Sequence, residues 1–266
     1  MKNMKKLISM ALVLVMAMAL LAGCGSDSSK TEDSAKDSGS KDVLIMATNA
    51  AFPPYEYVEG NDYAGIDVEI AQAIADELGM ELQIEDVEFG SIIGGVQSGK
   101  FDMGMAGITV TDERKQSVDF SNSYATGIQS VIVPEGSAIA SVDDITSDMK
   151  IGVQQDTTGD IYASAAPEEG GYGEDAVIRY NKGADAVQAL VSGKVDCVII
   201  DNEPAKSFVE ANEGLQLLDT AYAEEDYAIC VSKDNADLLK KINDALDKLI
   251  ADGTVQKIVD KYITAE

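Results

Sequence analysis

The sequence predicts an α/β fold arranged as two doubly wound lobes. Short apolar strands alternate with amphipathic helices from Asp42 onward, which is typical of mainly parallel sheets covered by helices. The turn Ser-Gly-Lys-x-Asp occurs twice, at Ser98–Asp102 and at Ser192–Asp196, each time between a predicted helix and an apolar strand. Because the segment 42–266 is long enough for two modest domains, we interpret the two turns as matching parts of two lobes.

The first half of the chain is predicted to contain three strands and two helices. The longer helix has apolar residues four positions apart, at Ile66, Ile70, Ile74 and Leu78; Asp67 is expected to cap this helix and Gly79 to end it. Gly94 and Gly95 weaken the shorter helix, because a glycine costs about 1 kcal/mol relative to alanine in a helix interior. The other predicted elements are Val43–Ala47, Leu82–Val87, Ser91–Ser98 and Met103–Ile108.

The second half of the chain is predicted to continue this alternation and to close with two helices. Gly253 separates the two closing helices. Their apolar positions recur at helical spacing: Leu238, Leu239, Ile242, Leu246 and Leu249, then Val255, Ile258, Val259 and Tyr262. The earlier elements are a helix at Ala184–Val191 and strands at Ser130–Val133, Ile151–Val153, Val177–Tyr180, Cys197–Ile200 and Tyr227–Val231.

The repeated turn also indicates where a ligand would bind. Counting nine residues from its serine gives Gly107 in the first half and Asp201 in the second, each at the carboxyl end of a predicted strand. Ligands of open α/β sheets bind at such strand ends. We therefore expect these two residues to occupy equivalent places beside a ligand.

The first 41 residues predict export and attachment to a membrane. Three lysines precede an apolar run, 7–22, that is shorter than the roughly 20 residues a membrane span needs. The run ends in Leu21-Ala22-Gly23-Cys24, which resembles a bacterial lipobox, so residues 1–23 are predicted to be a lipoprotein signal peptide and Cys24 to carry the lipid. The alternative is an ordinary cleaved signal with an incidental cysteine. The polar segment up to residue 41 is predicted to be a flexible tether, giving 24–41 for lipidated cysteine and tether together.

The composition excludes several classes of function. The chain contains no histidine, which removes the commonest general base, the commonest zinc ligand and the Ser-His and Cys-His nucleophile systems. We expect neither a metal site nor a cofactor. A formal net charge of −27 repels phosphate backbones, so no nucleic-acid partner is expected. Cys197 and Cys230 fall in different predicted lobes and are expected to be buried free thiols.

Arg114 is the residue whose chemistry is most informative. It follows a predicted strand that ends in small and hydroxyl residues, among them Thr109. An arginine offers a planar group that binds a carboxylate with two charge-assisted hydrogen bonds, and Thr109 can add a hydroxyl and a backbone N–H. The alternative, which spacing alone leaves open, is a solvated helix residue that pairs with Asp112 or Glu113.

The stretch Gly107–Lys115, followed by Val118–Ser121, resembles the signature of polar amino-acid binding proteins of bacterial ABC importers. Other matches in the same order along the chain are Ala47–Glu56, Gly65–Asp67, Gln97–Lys100 and Gly152–Gln154. The resemblance runs from about Asp42 to Glu266 and so covers essentially the mature domain. On these residues the chain is identified as a member of the bacterial extracellular solute-binding proteins, family 3.

The resemblance implies a periplasmic-binding-protein-like fold of type II, in which two crossing strands join the lobes. Lobe one would comprise residues 42–126 and 226–266, and lobe two residues 127–225. The crossings are expected near Tyr124–Ile128 and Glu224–Tyr227. A disulfide between Cys197 and Cys230 would contradict this topology.

The resemblance also implies a role for each site residue. Arg114 would bind the α-carboxylate of an amino acid, together with Thr109 and with Thr158 from the second lobe. Asp201 would accept hydrogen bonds from the α-ammonium group, assisted by the backbone of Gly107. The remaining three residues would contact the ligand side chain: Phe52 and Phe89 as walls, and Asn49 at the place where the family often carries an aspartate.

Other interpretations of these residues remain open. Phe52 and Phe89 fit ordinary core positions, Asp201 fits a helix cap and Thr158 fits local support of its loop.

Two departures from the family pattern also matter. Asp156 stands where the family usually has a glycine, which leaves the shape of the loop before Thr158 open. Asn49 in place of aspartate favours a neutral polar ligand.

The function implied is that of an extracytoplasmic receptor, attached to the cell membrane through Cys24, that delivers a free amino acid to an ABC permease. We expect it not to be an enzyme. An alternative is an enzyme similar to cyclohexadienyl dehydratases on the same fold, for which Glu56 and Glu203 are the candidate acids near the cleft. A third possibility is a ligand-sensing domain, which would need a membrane-spanning segment after the lobes; we expect none in this sequence.

Overall fold

The computed structural model describes residues 42–219 and 221–263, so the predictions for the signal peptide, Cys24 and the tether lie outside the described residues. The strands are β1 Val43–Thr48, β2 Ala51–Phe52, β3 Glu56–Glu59, β4 Asp62–Ala64, β5 Glu81–Asp86, β6 Met103–Gly104, β7 Val118–Phe120, β8 Ala125–Pro134, β9 Ile151–Gln154, β10 Val177–Tyr180, β11 Cys197–Asp201, β12 Leu215–Leu217, β13 Ala223–Tyr227 and β14 Cys230–Ser232. The α-helices are α1 Ile66–Leu78, α2 Ile92–Gln97, α3 Arg114–Ser117, α4 Thr158–Ser164, α5 Gly183–Val191, α6 Asn202–Ala211, α7 Ala236–Ala251 and α8 Thr254–Tyr262. Short 3₁₀ helices are Phe89–Ser91, Val142–Asp144, Pro167–Glu169 and Glu174–Ala176.

Within the described residues, the first sheet has five strands in the order β5-β1-β6-β14-β7. β1 runs parallel to β5 and β6, whereas β14 is antiparallel to both of its neighbours. The side chains of β1 alternate between two faces: Leu44 and Met46 join the cluster that contains the apolar sides of α1 and α7, and Ile45 and Ala47 join the cluster that contains α2. Helices therefore cover both faces of this sheet.

The second sheet has the order β10-β9-β11-β8-β12 in the described part of the chain, and β13 also pairs with β8. β9 runs parallel to β10 and β11, and β8 is antiparallel to β11, β12 and β13. Val198 and Ile200 of β11 join the cluster that contains α5, and Cys197 and Ile199 join the cluster that contains Ala163 of α4. The predicted α/β fold with two covered sheets is confirmed.

Two antiparallel strands carry the chain between the sheets. β7 belongs to the first sheet and β8, which follows it, to the second; β13 pairs with β8, and β14, which follows β13, returns to the first sheet. The two crossing segments are also joined between the backbone N–H of Tyr124 and the carbonyl of Tyr227, at 3.0 Å. The prediction of one strand at Tyr227–Val231 is wrong, because the chain changes sheets at Ala228 and Ile229. The exact lobe boundaries stay a prediction.

The two Ser-Gly-Lys-x-Asp turns have the same structure. In each, the glycine adopts a left-handed conformation, with φ 74° at Gly99 and 69° at Gly193. The carboxylate of Asp102 accepts a hydrogen bond from the backbone N–H of Ile45 at 2.8 Å. In the second turn, the carboxylate of Asp196 accepts one from the backbone N–H of Lys150 at 2.7 Å. Each turn thus ties the start of its following strand to the neighbouring parallel strand, which supports the interpretation of the turn as a repeat.

Asp67 does not cap α1, contrary to the prediction from sequence. The helix begins after Gly65, and no side chain caps its first turn. Asp67 is instead buried within the first turn, where its carboxylate accepts hydrogen bonds from the Gly107 backbone at 2.8 Å and from the Tyr124 hydroxyl at 2.9 Å. It links α1 to the segment that follows β6 and to the start of the first crossing.

Several predicted bounds differ from those observed. The strand predicted at Met103–Ile108 ends at Gly104, because the backbone then leaves the sheet and turns left-handed at Gly107, with φ 52°. The strand predicted at Ser130–Val133 is longer in the structure, since β8 also forms the first crossing. The helices α4 and α6 and the short α3 were not predicted as helices.

Cys197 and Cys230 are buried free thiols, as predicted. The first lies in β11 of the second sheet and the second in β14 of the first sheet. Among the described residues, no helix has both the length and the apolar character that crossing a membrane would require.

The adjacent glycines of α2 give a direct test of the packing. A Cβ at Gly95 would lie 2.3 Å from the buried ring of Phe101, whereas a Cβ at Gly94 would meet no atom within 4 Å. Gly95→Ala should therefore lower the free energy of unfolding by about 1–3 kcal/mol through overpacking. Gly94→Ala should raise it by about 0.5–1 kcal/mol, because alanine loses less entropy in a helix. Urea denaturation of both variants decides this; equal stabilities would contradict the packing.

Candidate functional site

A small cavity lies between the two sheets. The eight residues predicted from sequence all line it: Asn49, Phe52, Phe89, Gly107, Thr109, Arg114, Thr158 and Asp201. The other lining residues are Glu56, Ala106, Gln154 and Thr157.

Arg114 is held inside this cavity rather than at the surface. Arg114 is the first residue of α3 and is 8% exposed. One terminal nitrogen donates to the carbonyl of Thr109 at 2.9 Å, and the other donates to the carbonyl of Asp156, which follows the second-sheet strand β9, at 3.0 Å. The guanidinium also lies 5.3 Å from the centre of the Phe89 ring, a cation–π distance. The alternative of a solvated residue paired with Asp112 or Glu113 is wrong, because Arg114 is buried and its guanidinium donates to the two backbone carbonyls instead.

A buried carboxylate accompanies Arg114. The Thr109 hydroxyl donates to Oε2 of Glu225 at 2.8 Å, and Gln129 donates to the same oxygen at 3.1 Å. Glu225 is 6% exposed. Burial lowers the pKa of Arg114, and the negative charge of Glu225 opposes this effect. Sequence analysis did not identify Glu225. The alternation of exposed and buried positions along β13, which places Glu225 and Tyr227 on one face, is the signal that could have found it.

Asp201 lies in the cavity on the second sheet. It ends β11, precedes α6 and is 6% exposed. Although it occupies the cap position of α6, its side chain makes no capping hydrogen bond; its carboxylate accepts one from the hydroxyl of Tyr227 instead. The structure therefore does not support the alternative of a helix cap.

Gly107 occupies the matching position near the first sheet. A Cβ there would lie 3.2 Å from the ring of Phe52 and 3.5 Å from that of Tyr227, and its φ of 52° favours glycine. Because Asp67 binds its N–H, the position of Gly107 is fixed from behind the cavity. Phe52 is both a cavity wall and part of the main apolar cluster, so the core interpretation and the wall interpretation describe the same side chain.

Asn49 connects the two sheets across the cavity. Its amide nitrogen donates to the carbonyl of Val87 at 2.7 Å, and its amide oxygen accepts from Gln154 of β9 at 2.9 Å. Gln154 also lines the cavity and is 5% exposed. The Asn49 amide, which the sequence analysis assigned to the ligand side chain, is therefore already hydrogen-bonded within the protein.

The loop before Thr158 keeps a left-handed backbone at Asp156, with φ 64°, which is uncommon for a residue other than glycine. The carboxylate of Asp160 accepts from the Asp156 N–H at 3.0 Å, and Arg179 donates to both oxygens of that carboxylate at 2.8 and 2.9 Å. This pair holds the loop so that its carbonyl reaches Arg114. Thr158 is the first residue of α4, and its hydroxyl lies 3.4 Å from that of Thr109.

The comparison with known proteins identifies the family. The model of the bacterial extracellular solute-binding proteins, family 3, matches residues 44–265. This chain belongs to that family. The match covers both sheets and the segments that carry the cavity, and it confirms the resemblance found in the sequence.

Relatives of this solute-binding protein include the arginine-binding extracellular protein ArtP of Bacillus subtilis, 34% identical over 99% of this chain and 100% of the relative. The ABC transporter glutamine-binding protein GlnH of the same species is 33% identical over 98% of each chain. A solved ancestral arginine-binding protein bound to glutamine has a TM-score of 0.78 and 35% identity over 85% of this chain and 99% of its own. These comparisons confirm the predicted fold, that of the type II periplasmic amino-acid-binding proteins.

The cavity of this solute-binding protein carries a surplus of buried carboxyl groups. Burial, and then the charge of Glu225, raises the pKa of Asp201 to about 7. Burial also raises the pKa of Asp67 to about 7, against the opposing effect of hydrogen bonds from Gly107 and Tyr124. Among the described residues, no cluster of acidic and cysteine side chains has the arrangement of a metal site.

Glu56 was considered in the sequence only as a catalytic acid, yet it lines the cavity and is 1% exposed. Burial raises the pKa of Glu56 well above its usual value, and the adjacent charge of Asp67 raises it further. Glu56 begins β3 and lies on the buried side of a small hairpin whose other residues are mostly exposed. Its position at the end of the family motif Ala47–Glu56 is what placed it near the cleft in the sequence analysis.

These raised pKa values predict how stability depends on pH. A carboxyl group with a raised pKa binds more protons in the folded state than in the unfolded state between about pH 4 and pH 7, so its stabilising effect is lost as the pH rises through 7. The melting temperature of the ligand-free protein should therefore fall between about pH 5.5 and pH 8, where ordinary carboxyl groups no longer titrate and the chain has no histidine.

Asp201→Asn should make this dependence shallower, and Asp62→Asn, which alters an exposed carboxylate of β4, should leave it unchanged. Scanning calorimetry across this pH range measures both. A melting temperature that rises with pH in the wild-type protein would contradict the assignment of the buried carboxyl groups.

Proposed function

We propose that this chain captures a free amino acid in the cavity between its two sheets and delivers it to an ABC importer. One observation carries the proposal: a buried guanidinium and a buried carboxylate line the same small cavity, Arg114 from α3, which precedes the first-sheet strand β7, and Asp201 from the second-sheet strand β11. A zwitterion that leaves water needs an opposite charge at each end, because otherwise its desolvation is not offset. This cavity offers both charges.

In this proposal Arg114 binds the α-carboxylate, with the hydroxyl groups of Thr109 and Thr158 on either side of the cleft. Asp201 accepts hydrogen bonds from the α-ammonium group, and the carbonyl of Gly107 assists it. The aromatic rings of Phe52 and Phe89 form walls for the ligand side chain. Arg114, Thr109, Thr158 and Asp201 are already buried, and hydrogen bonds to neighbours hold them in place.

The two crossing strands supply a hinge for ligand capture. They are the covalent links between the sheets in the described residues, so a small change in their backbone would separate the walls of the cavity. Lobe one (residues 42–126 and 226–266) and lobe two (residues 127–225) would then close on the ligand, as periplasmic binding proteins do. Closure is favoured only as far as the ligand binds the closed form better than the open form.

The identity of the amino acid is the finer part of the proposal. Asn49 led us to expect a neutral polar ligand, but its amide is already hydrogen-bonded to Val87 and Gln154. Relatives described as binding arginine, glutamine or histidine are all similar to this chain. A thermal-shift screen with the common amino acids would identify the ligand, because a molecule that binds only the native state raises its melting point.

We propose that the chain is not an enzyme. A solved precursor of cyclohexadienyl dehydratase is similar to it, with a TM-score of 0.74 and 30% identity, and that structure is itself described as an ancestral amino acid-binding protein. Of the two candidate acids, Glu203 pairs with Lys206 at 3.0 Å and does not line the cavity, which leaves Glu56 alone. Turnover of a cyclic prephenate-like acid by the purified protein would overturn this proposal.

We also propose that Cys24 is lipidated and holds the protein at the outer face of the cell membrane. The expected result for Cys24→Ser is release of the protein from the membrane fraction, since a single hydrophobic anchor is lost and the rest of the chain is strongly acidic. Cell fractionation measures this. A Cys24→Ser protein that stays with the membrane would show that another feature attaches it.

Arg114→Ala should abolish measurable amino-acid binding while the protein stays folded. Removing one partner of a buried charge pair costs about 3–5 kcal/mol, out of roughly 8 kcal/mol for micromolar affinity. Asp201→Ala should have a similar effect, and Lys115→Ala, on the exposed side of the same helix, should have none. Calorimetric titration with the amino acid found in the screen measures all three. An affinity within twofold of wild type for Arg114→Ala would show that Arg114 does not bind the ligand.

A further inference from the structure

Asp156 carries a side chain at a position where the backbone favours glycine. It lies in the loop between β9 and α4, and its φ of 64° is in the left-handed region, which is costly for a residue that has a Cβ. The backbone contacts of this residue do not require a side chain: its carbonyl accepts from Arg114 and its N–H donates to Asp160. A glycine could make both contacts at a lower cost. The carboxylate of Asp156 therefore needs a separate explanation.

The carboxylate contacts the backbone of Gly90, which belongs to the other half of the molecule. Gly90 lies in the 3₁₀ helix Phe89–Ser91, which follows β5 of the first sheet, whereas Asp156 follows β9 of the second sheet. A Cβ at Gly90 would lie 3.0 Å from Cγ of Asp156 and would overlap its Oδ2. The backbone of Gly90 is not left-handed, so the close approach of the carboxylate, and not the conformation, favours glycine there.

This contact lies at the rim of the cavity. Two surface grooves meet there, and Phe89, Gly90 and Asp156 line both of them. Phe89 is also a wall of the cavity, and the guanidinium of Arg114 lies 5.3 Å from the centre of its ring. Since Gly90 and Asp156 are both exposed, their contact closes the outer edge of the cleft beside Phe89 rather than its interior.

A neighbouring side chain directs the carboxylate toward Gly90. Gln155 donates a hydrogen bond to Oδ2 of Asp156 at 3.3 Å, and Oδ2 is the oxygen that faces Gly90. The backbone of Asp156 is held at the same time by Arg114 and Asp160, both at 3.0 Å. The side chain is therefore fixed at both ends in the arrangement in which the two sheets enclose the cavity.

We propose that the Asp156 side chain is a strut, which contacts Gly90 when the two lobes close and so slows the release of the bound amino acid. The inference rests on the proposed function and adds a positioning residue that does not itself line the cavity. In an open form the two residues separate with their lobes, so the strut acts on dissociation and not on capture. A carboxylate oxygen against a Cα–H group corresponds to about a two- to fivefold change in rate.

Asp156→Gly tests the strut, because it keeps every backbone contact and removes the carboxylate. The variant should release a radiolabelled mixture of the common L-amino acids about two- to fivefold faster than the wild type. Rapid filtration after dilution into unlabelled amino acids measures this. The free energy of unfolding without ligand should stay unchanged or rise, since glycine adopts the left-handed backbone more readily; a merely structural role would lower it. Asp156→Asn, which keeps the shape of the side chain, should restore slow release.

Gly90→Ala should have the same effect as Asp156→Gly, because the added methyl group takes the space of the carboxylate. Combining the two substitutions should give no further increase in release, since both remove one contact. Gly94→Ala is the matched control: it adds the same methyl group to the following helix, where no atom lies within 4 Å, and should release like the wild type. Effects of Gly90→Ala and Asp156→Gly that multiply would overturn the strut.

A disulfide between the two positions tests the contact independently of its strength. Cβ atoms at residues 90 and 156 would lie 3.4 Å apart, close to the roughly 3.5–4.5 Å that a disulfide spans. Gly90→Cys with Asp156→Cys should therefore cross-link on mild oxidation and lose the exchange of labelled for unlabelled amino acids, and reduction should restore it. Cys197 and Cys230 are buried and do not compete. The control pair, Gly94→Cys with Asp156→Cys, should not cross-link.

The outcomes separate this inference from the proposed function. Release from Asp156→Gly at the wild-type rate, or failure of the first cysteine pair to cross-link, would overturn the strut while leaving amino-acid capture intact. A wild-type protein that retains none of the labelled amino acids would overturn the proposed function and the strut together.

Discussion

The burial of the Arg114 guanidinium is the constraint on which the arrangement of the cavity depends. A charged group out of water is costly unless hydrogen bonds and opposite charges surround it. Arg114 obtains them from both sheets, through the carbonyl of Thr109 on one side and that of Asp156 on the other, with the carboxylate of Glu225 nearby. The guanidinium therefore connects the two halves of the molecule at the point where the proposed ligand carboxylate binds.

The residues behind the cavity wall hold this arrangement in place. Arg179 and Asp160 fix the loop that presents the Asp156 carbonyl. On the other side, Asp67 fixes the backbone of Gly107. The repeated Ser-Gly-Lys-x-Asp turn gives the cause of this symmetry: it ties the strand before Gly107 and the strand that ends at Asp201 to their neighbours in the same way. The sheets therefore hold the proposed binding groups in place, and in the proposed function the crossing strands act as the hinge.

Much of the fold and of the candidate site was predictable from sequence, and the failures have physical causes. Apolar runs and helical spacing located the central strands and α1, α5, α7 and α8, because burial requires those patterns. The chain's change of sheet within Tyr227–Val231 was missed, since an apolar run is the same whether it lies in one sheet or two. The helix α6 was not predicted because it begins with polar residues and so shows no apolar pattern at its start.

The resemblance to the family gave eight of the twelve residues that line the cavity, but not the contacts they make. The partners of a side chain depend on the tertiary arrangement, so the hydrogen bonds that Glu225 and Gln154 make across the cavity could not be predicted from their positions in the chain. Asn49 shows the converse. Its residue type suggested a contact with the ligand, whereas its amide spans the cleft and binds Gln154.

The central claim is that a buried guanidinium and a buried carboxylate bind the two ends of one zwitterion. A crystal structure of the protein with its bound amino acid tests this claim most directly. The account predicts that the ligand carboxylate lies against Arg114 and the ligand ammonium group against Asp201, both within hydrogen-bond distance and out of contact with solvent. A complex in which the ligand lies elsewhere, with both side chains turned toward water, would contradict it.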